Sequence, residues 1–161
     1  MAWGAIATWR MAHDGVIEAM YLLEKKGKAG DAVETLIKTV EDYPYYKSVG
    51  FGGLPNVEGI LEMDAAFMHG DTFEIGAVAG ITDVENPISV ARKLSKDKFN
   101  SFRVGEGATK YSMLEGFERK SMLTERAHKI WEKRLKEIQE NNLNPYDGHD
   151  TVGAITLDQM G

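Results

Sequence analysis

In the first quarter of the chain, apolar residues form one short run followed by two segments of helical period. The run at residues 4–9 is short, apolar and followed by polar residues, which predicts a buried strand. A helix capped by Asp14 follows and ends at residues 25–27, and a second begins at Asp31, whose capping-box partner is Glu34. The predicted inward positions of the two helices are Val16, Ile17, Met20, Leu23, Val33, Leu36, Ile37 and Val40.

A period of two in the next segment predicts a β-hairpin. Residues 61–67 and 73–81 alternate in character, and a turn at residues 69–71 separates them. The predicted inward positions are Leu61, Met63, Ala65 and Phe67 in the first strand and Phe73, Ile75, Ala77, Ala79 and Ile81 in the second. Residues 45–59 are rich in glycine and proline and have no period, so we interpret them as a surface loop of the kind that often borders a site.

The second half of the chain alternates helices with strands. Asn86 followed by Pro87 predicts the start of a helix that runs through Leu94. The other predicted elements are a strand at 99–104, a helix at 108–116, a long helix from a Thr124 cap to residue 139, a polar linker at 141–150 and a strand at 151–157. This order predicts an α/β or α+β layered fold, in which the last strand expects neighbours supplied by sequence beyond this chain. The predicted inward positions of the long helix are Ala127, Ile130, Trp131, Leu135 and Ile138.

Charge and composition narrow the possible partners. The 161 residues carry 19 basic and 25 acidic side chains in mixed order, a net charge of -6, so no basic stripe is available to bind a phosphate backbone. Cysteine is absent, which excludes disulfides and thiolate metal sites and fits a reducing compartment. No stretch approaches the length of a membrane span, and no leader precedes the first strand. We therefore expect a cytoplasmic protein with no nucleic-acid or membrane partner, unless a leader lies outside this sequence.

Three features invite a functional interpretation but do not support one. The four histidines lack the spacing of a zinc site, so we predict no metal and no cofactor. Gly105-Glu106-Gly107 lacks the third glycine and the Gly-Lys-Ser/Thr of a phosphate loop, and we interpret it as a tight turn between a strand and a helix. Asp64 stands on the polar face of a predicted strand, where a structural hydrogen bond is the simplest role.

The segment 148–153 carries the strongest signal, because a polar linker runs there into a strand of small residues that opens with a hydroxyl side chain, Thr151. Four further motifs accompany it in the chain: Ala7-Thr8-Trp9, Ser48-Val49-Gly50-Phe51-Gly52-Gly53, Met63-Asp64-Ala65 and Asn86-Pro87-Ile88-Ser89-Val90-Ala91. Together and in this order they resemble the α-subunit and the scissile junction of the glycosylasparaginase family, which belongs to the N-terminal-nucleophile hydrolases. The resemblance covers nearly the whole chain.

The resemblance implies an αββα sandwich of the N-terminal-nucleophile type, incomplete in this chain. Residues 1–150 would form the α-subunit part of a single domain, and residues 151–161 the first strand of the β-subunit. The precursor would cleave itself between Asp150 and Thr151, with His149 or Asp150 moving the proton, and Trp9 would line the substrate pocket. The implied partners are an asparagine-type substrate and the protein's own β-subunit, in an (αβ)2 oligomer.

Physical chemistry supports this activation scheme. A threonine hydroxyl needs a base to become a nucleophile, and a free α-amino group, with a pKa of about 7.7 to 8.0, can serve as that base near neutral pH. In an uncut chain the nitrogen of Thr151 is an amide without a basic lone pair, so cleavage would be the activating step. The 161-residue chain by itself is therefore predicted to lack amidase activity.

The sequence leaves the substrate open. The favoured function is hydrolysis of the side-chain amide of asparagine or N-glycosylated asparagine to aspartate, which the loop at residues 48–53 favours. An L-asparaginase or isoaspartyl dipeptidase of the same superfamily is the alternative, and a non-catalytic fragment is a third possibility. Met11 stands where the family often has an aromatic residue, and this softer side chain leaves the specificity of the pocket undecided.

Overall fold

A computed structural model describes residues 2–141 and 151–160, which form two small β-sheets and five α-helices. The elements in chain order are β1 (Gly4–Ala7), α1 (His13–Glu24), α2 (Ala29–Glu41), β2 (Met63–Met68), β3 (Ile75–Ile81), α3 (Pro87–Leu94), β4 (Phe102–Val104), α4 (Gly105–Leu114), α5 (Glu125–Asn141) and β5 (Ala154–Leu157). The mixed α/β class expected from the sequence is confirmed.

The first two helices differ from prediction at their starts. Helix α1 begins at His13 after a short 3-10 turn, so Asp14 lies in its first turn and caps nothing. Helix α2 begins at Ala29 rather than Asp31, and the predicted capping box is wrong because Asp31 and Glu34 both bind Arg92 of α3 instead. Their predicted inward faces are only partly correct: Leu23, Leu36, Ile37 and Val40 are buried, whereas Ile17 and Met20 are exposed.

Strands β2, β3 and β4 form the first sheet, which we call the hairpin sheet. The predicted hairpin is confirmed, and β4 joins β3 in parallel. The register shifts between Met63 and Ala65, opposite Gly80, whose φ is +60°. The amide of Gly80 donates to Asp64 Oδ1 at 2.7 Å, so Asp64 has the structural role that the sequence suggested.

The predicted buried face of β3 is correct only at its end, where Ile81 is fully buried. Helices α3 and α4 pack on the face of Gly76 and Val78, while the alternate residues Phe73 and Ile75 are exposed. A Cβ added to Gly76 would lie 2.8 Å from the Cα of Ser95, so only glycine allows α3 to approach this closely. Gly76, which has no apolar side chain, is therefore the point of closest contact between α3 and the hairpin sheet.

Strands β1 and β5 form the second sheet, which we call the junction sheet. They pair antiparallel from Gly4 opposite Leu157 to Ala7 opposite Ala154. Strand β5 thus has a partner, β1, within this chain, which the sequence did not predict. The expected neighbours from sequence beyond this chain remain a prediction. Helix α1 packs against β1 and helix α2 against β5, so both helices cover one face of this sheet.

Both sheets leave their second face uncovered in the part of the chain that the structure describes. On the junction sheet, Ile6 and Ile155 are 68% and 73% exposed. On the hairpin sheet the corresponding exposed apolar residues are Met68, Ile75, Phe102 and Val104.

The long helix α5 has the predicted Thr124 cap, whose hydroxyl accepts the amide of Ala127 at 3.2 Å. Of its five predicted inward residues only Ala127 is fully buried, and the ring of Trp131 lies against Gly59 of the loop before β2. Within residues 2–141 and 151–160, no helix is long and apolar enough to cross a membrane.

Candidate active site at the start of strand β5

Thr151 lies three residues before β5, at the end of the junction sheet where β1 also ends. Its side chain is exposed. The two residues before it, His149 and Asp150, were predicted to assist cleavage, and they lie outside the described residues. Within the described residues, the segment that runs from Thr151 through β5 is held by hydrogen bonds to the residues after β1 and to the start of α2.

Trp9 is the first contact that holds it. The residue follows β1 and has a φ of +64°, an uncommon value for a residue other than glycine. This turn brings the indole to the Thr151 segment, where Nε1 donates a hydrogen bond to the carbonyl oxygen of Thr151 at 3.0 Å. The indole remains half exposed. The two residues predicted to belong to one site are thus in direct contact across the junction sheet.

Thr8 makes the second contact, two residues further along the segment. Its amide donates to the carbonyl of Gly153 at 2.9 Å, and the amide of Gly153 donates to the Thr8 hydroxyl at 2.8 Å. The hydroxyl also lies 3.4 Å from the Gly153 carbonyl oxygen. In the sequence, Thr8 is only one letter of the Ala7-Thr8-Trp9 motif, and no local pattern indicates that it binds a residue 145 positions away.

The far end of β5 is fastened to helix α2. The carboxylate of Asp158 accepts the amide of Ala29, the first residue of α2, at 2.8 Å, and the hydroxyl of Thr156 donates to the carbonyl of Ala29 at 2.7 Å. Asp158 therefore supplies the acceptor that a helix start needs, and its negative charge suits the positive end of the helix dipole. The segment from Thr151 through β5 is held by side-chain hydrogen bonds at both ends.

A cavity of about 1540 Å³ adjoins Thr151. The uncovered faces of both sheets line it, with Ala66, Ala77 and Ala79 on the hairpin sheet and Thr151, Ile155 and Leu157 on the junction-sheet side. Small side chains on the hairpin sheet leave room for a ligand beside the Thr151 segment.

Glu41 is a buried acid on the wall of this cavity, and it is 4% exposed. Burial raises the pKa of its carboxyl to about 8, although hydrogen bonds from the Ile88 amide and the Asn86 side chain act in the opposite direction. Its main-chain carbonyl accepts the amide of Phe51 at 2.7 Å. Glu41 therefore fixes both the start of α3 and the loop at residues 48–53.

The chemistry available at this site is that of a hydroxyl beside a cavity whose walls combine small apolar residues with charged side chains such as that of Glu41. Among residues 2–141 and 151–160, no three His, Asp or Glu side chains are grouped so that they could hold a metal ion. As long as Thr151 follows Asp150 in one chain, its nitrogen is an amide, so the hydroxyl is the reactive group that this residue offers.

Comparison with known proteins supplies the family. A family model described as Asparaginase matches residues 5–161. The chain belongs to this asparaginase family. This membership confirms the resemblance inferred from the motifs around Trp9, Asp64, Asn86 and Thr151.

Curated relatives of this asparaginase family carry three different names. The chain is 38% identical over 97% of its length to an N(4)-(β-N-acetylglucosaminyl)-L-asparaginase of Elizabethkingia miricola, covering 46% of that protein. It is 46% identical over 83% of its length to a plant-type L-asparaginase of Pyrococcus furiosus, covering 48% of it. It is 35% identical over 91% of its length to an isoaspartyl peptidase/L-asparaginase of Xenopus laevis, covering 48% of it. The chain thus spans about half the length of the curated relatives it matches.

Proposed function

We propose that this chain is the front part of an amidohydrolase precursor of the N-terminal-nucleophile class. Residues 1–150 form its α-subunit, and residues 151–161 begin its β-subunit. Self-cleavage between Asp150 and Thr151 exposes Thr151, which then hydrolyses the side-chain amide of asparagine or N-glycosylated asparagine. The observation that carries the proposal is the hydrogen bond from the Trp9 indole to the Thr151 carbonyl beside the cavity, in a chain of the asparaginase family.

The arrangement of layers supports an αββα sandwich. Helices α1 and α2 cover one face of the junction sheet, and α3 and α4 cover one face of the hairpin sheet. The remaining faces both line the cavity. An apolar face needs a partner layer, and we propose that the two sheets, extended by strands of the β-subunit, form the two inner layers of the sandwich. The β-subunit and an (αβ)2 assembly are the proposed partners.

In the proposed cleavage, the hydroxyl oxygen of Thr151 attacks the carbonyl carbon of Asp150, and the peptide bond gives way to an ester. His149 or Asp150 takes the hydroxyl proton and delivers it to the departing nitrogen of Thr151. Water then opens the ester, which leaves a carboxylate on Asp150 and a free amine on Thr151. The amine can accept a proton near neutral pH, so the same residue gains its own general base.

In the proposed turnover, the Thr151 amine accepts the hydroxyl proton as the oxygen attacks the side-chain amide carbon of the substrate. The protonated amine then returns that proton to the leaving nitrogen, and an acyl ester remains on Thr151. Hydrolysis of this ester releases aspartate. The half-exposed Trp9 indole is the proposed pocket wall, and neither half-reaction requires a cofactor.

L-asparaginase is a second candidate for the substrate range. The 46% identity to the plant-type enzyme of Pyrococcus furiosus favours it, whereas the glycosylasparaginase of Elizabethkingia miricola aligns with more of this chain. Assays of the processed full-length protein with asparagine, N-glycosylated asparagine and an isoaspartyl dipeptide decide between these functions. We expect the highest kcat/KM on N-glycosylated asparagine; a higher value on either other substrate would assign the activity to that class.

Processing tests the central claim. Expression of the full-length gene should give two chains, the second beginning with Thr151 by N-terminal sequencing. Thr151→Ala should leave a single uncut chain because no hydroxyl remains to attack, while Thr151→Ser should still be cut. Two chains from the alanine variant would remove Thr151 from the mechanism, and an uncut wild-type protein without amidase activity would refute the proposal.

A further inference from the structure

We propose that Thr8 is a positioning residue for Thr151, acting through Gly153. This inference rests on the proposed role of Thr151 and adds a residue to it. The Thr8 hydroxyl accepts the Gly153 amide at 2.8 Å, while the Thr8 amide donates to the Gly153 carbonyl at 2.9 Å. The pair continues the register that joins Ala7 to Ala154, so it is the last rung of the junction sheet before Thr151.

The rung is unusual because a side chain takes part in it. In a regular antiparallel ladder, two opposed residues of this kind exchange both hydrogen bonds through their main chains. Here the hydroxyl of Thr8 is the acceptor at the position where a regular ladder would use its carbonyl oxygen. The chain turns sharply at the next residue, Trp9, with φ +64° and ψ 153°. The hydroxyl therefore completes the ladder at the point where the β1 backbone leaves it.

The turn at Trp9 and the Thr8–Gly153 pair hold two main-chain groups that are close together in the sequence. The turn at Trp9 lets its indole reach the Thr151 carbonyl at 3.0 Å, and the Thr8 hydroxyl holds the Gly153 amide. Only Val152 separates these two fixed points. These two hydrogen bonds restrict the main chain from the Thr151 carbonyl to Gly153, and we infer that this restriction helps to place the Cα that carries the hydroxyl and the nitrogen of Thr151.

We expect the exposed Thr8 hydroxyl to contribute little to the stability of the fold but much to the position of Thr151. A single misplacement of about 1 Å can slow an enzymatic step by roughly a hundredfold, whereas one exposed hydrogen bond changes stability only slightly. The expected signature is therefore a loss of rate without a comparable loss of stability. A residue with a purely structural role would lower both together.

The test compares Thr8→Val with Thr8→Ser in the full-length gene product. Valine keeps the shape and removes the hydroxyl; serine keeps the hydroxyl. We expect Thr8→Val to slow self-cleavage and to lower kcat by about ten- to a hundredfold, with KM within about twofold of wild type. Thr8→Ser should stay within about threefold of wild type, because its hydrogen bonds are retained. Thr72→Val, in the exposed hairpin turn, is the matched control and should leave both rates unchanged.

The outcomes separate the two proposals. If wild type is processed and active while Thr8→Val matches it, the positioning role is wrong and the proposed function stands. Equal losses in Thr8→Val and Thr8→Ser also overturn the positioning role. If wild type is neither processed nor active, both proposals fail. Hydrogen exchange of the wild-type amides gives a test that does not require the variants to fold. The Gly153 amide should exchange slowly, because it donates to the Thr8 hydroxyl. Exchange as fast as in an unstructured peptide would refute this hydrogen bond and the inference that depends on it.

Discussion

The hairpin sheet and the junction sheet differ in the size of the apolar side chains that they bury and in the side-chain hydrogen bonds that hold them. In the hairpin sheet, Val78 and Ile81 are fully buried under helices α3 and α4. In the junction sheet, the residues that pack against the core are small and only partly buried: Ala5, Ala7 and Ala154. The segment that leads from Thr151 into β5 is also held by the hydroxyls of Thr8 and Thr156 and the carboxylate of Asp158. The covered face of the hairpin sheet therefore buries larger apolar side chains than that of the junction sheet, which has additional side-chain hydrogen bonds at both ends of β5.

This difference predicts that stability of the fold and precise positioning of Thr151 depend on different residues. Burial is worth the most free energy per residue but is not directional, so it fixes a fold better than it fixes a single atom. Hydrogen bonds contribute less but impose distances and angles. The residues around Thr151 should therefore tolerate substitution in stability measurements while remaining sensitive in rate measurements, and the core of the hairpin sheet should show the reverse.

The largest expected effect comes from the glycine beneath α3. A Cβ at Gly76 would lie 2.8 Å from the Cα of Ser95 and closer still to the carbonyl oxygen of Ala91, and neither backbone atom can move aside. Gly76→Ala should lower the free energy of unfolding by more than about 4 kcal/mol, enough to deplete the folded state. Gly4→Ala is the matched change in the junction sheet, where a Cβ meets nothing within 4 Å. Urea titrations that gave equal losses for the two would contradict the comparison.

Glu41 links α2, which covers the junction sheet, to the start of α3, which covers the hairpin sheet. Burial raises the pKa of its carboxyl to about 8, above the ordinary value of 4.5. Its stabilising contribution is therefore fully present below about pH 4.5 and is lost as the pH rises through about 8. Between about pH 5 and pH 7.5 the expected loss is on the order of 3 kcal/mol.

Glu41→Gln is the test of this pH dependence, because the amide has the same shape and cannot ionise. The unfolding free energy of the variant should change less than that of wild type over the same pH range. Lys38 and Asp42 lie close enough to influence Glu41 and remain unchanged in the variant. Parallel curves for the two proteins would show that Glu41 is ionised in the folded state at neutral pH.

Asp158 tests the polar fastening of the junction sheet. Asp158→Ala removes the acceptor for the first amide of α2 and should lower the unfolding free energy by about 1 kcal/mol, the usual cost of losing a helix cap. Asp158→Asn retains an oxygen acceptor and should lose less. Chemical denaturation of both variants measures the effect, and a loss as large as that of Gly76→Ala would place Asp158 among the core residues.

The smallest effect is expected on the uncovered face of the junction sheet. Ile155→Thr changes a residue that is 73% exposed and should alter the unfolding free energy of the 161-residue chain by less than about 0.5 kcal/mol. Val78→Thr is the matched change in the hairpin sheet, where burying a hydroxyl should cost about 1–3 kcal/mol. Equal values for the two substitutions would show that Ile155 is covered in solution.

Sequence periodicity predicted the elements well but not their faces or their long-range partners. The hairpin, the helix from Pro87 and the Thr124 cap follow from local pattern, which a single segment carries by itself. The buried face at the start of β3 was missed because Gly76 offers no apolar side chain, and its importance arises only from α3, which packs directly on it. The start of α2 was missed because its acceptor, Asp158, lies 129 positions away.

For the candidate site as well, the sequence predicted individual residues but not the contacts between them. Trp9 and Thr151 come from the resemblance to a family, and their contact is a property of the fold that no spacing in the sequence encodes. Thr8 and Asp158 stand out in no sequence pattern, and their hydrogen bonds to Gly153 and Ala29 become apparent only in the folded structure. The roles of Thr151, Trp9, His149 and Asp150 in catalysis and processing remain predictions.

The pairing of β1 with β5 also has a consequence for the order of folding. Thr8 and Gly153 are 145 positions apart, whereas β2 and β3 are joined by a short turn. Closing so long a loop costs more chain entropy than closing a hairpin, so the hairpin should form early and the two ends of the chain should meet late. Pulse-labelled hydrogen exchange would show β1 and β5 protected after β2 and β3. If cleavage before Thr151 requires β1 and β5 to be paired, only fully folded molecules would be cleaved. The rate at which the new N-terminus appears would then report the rate of the last folding step.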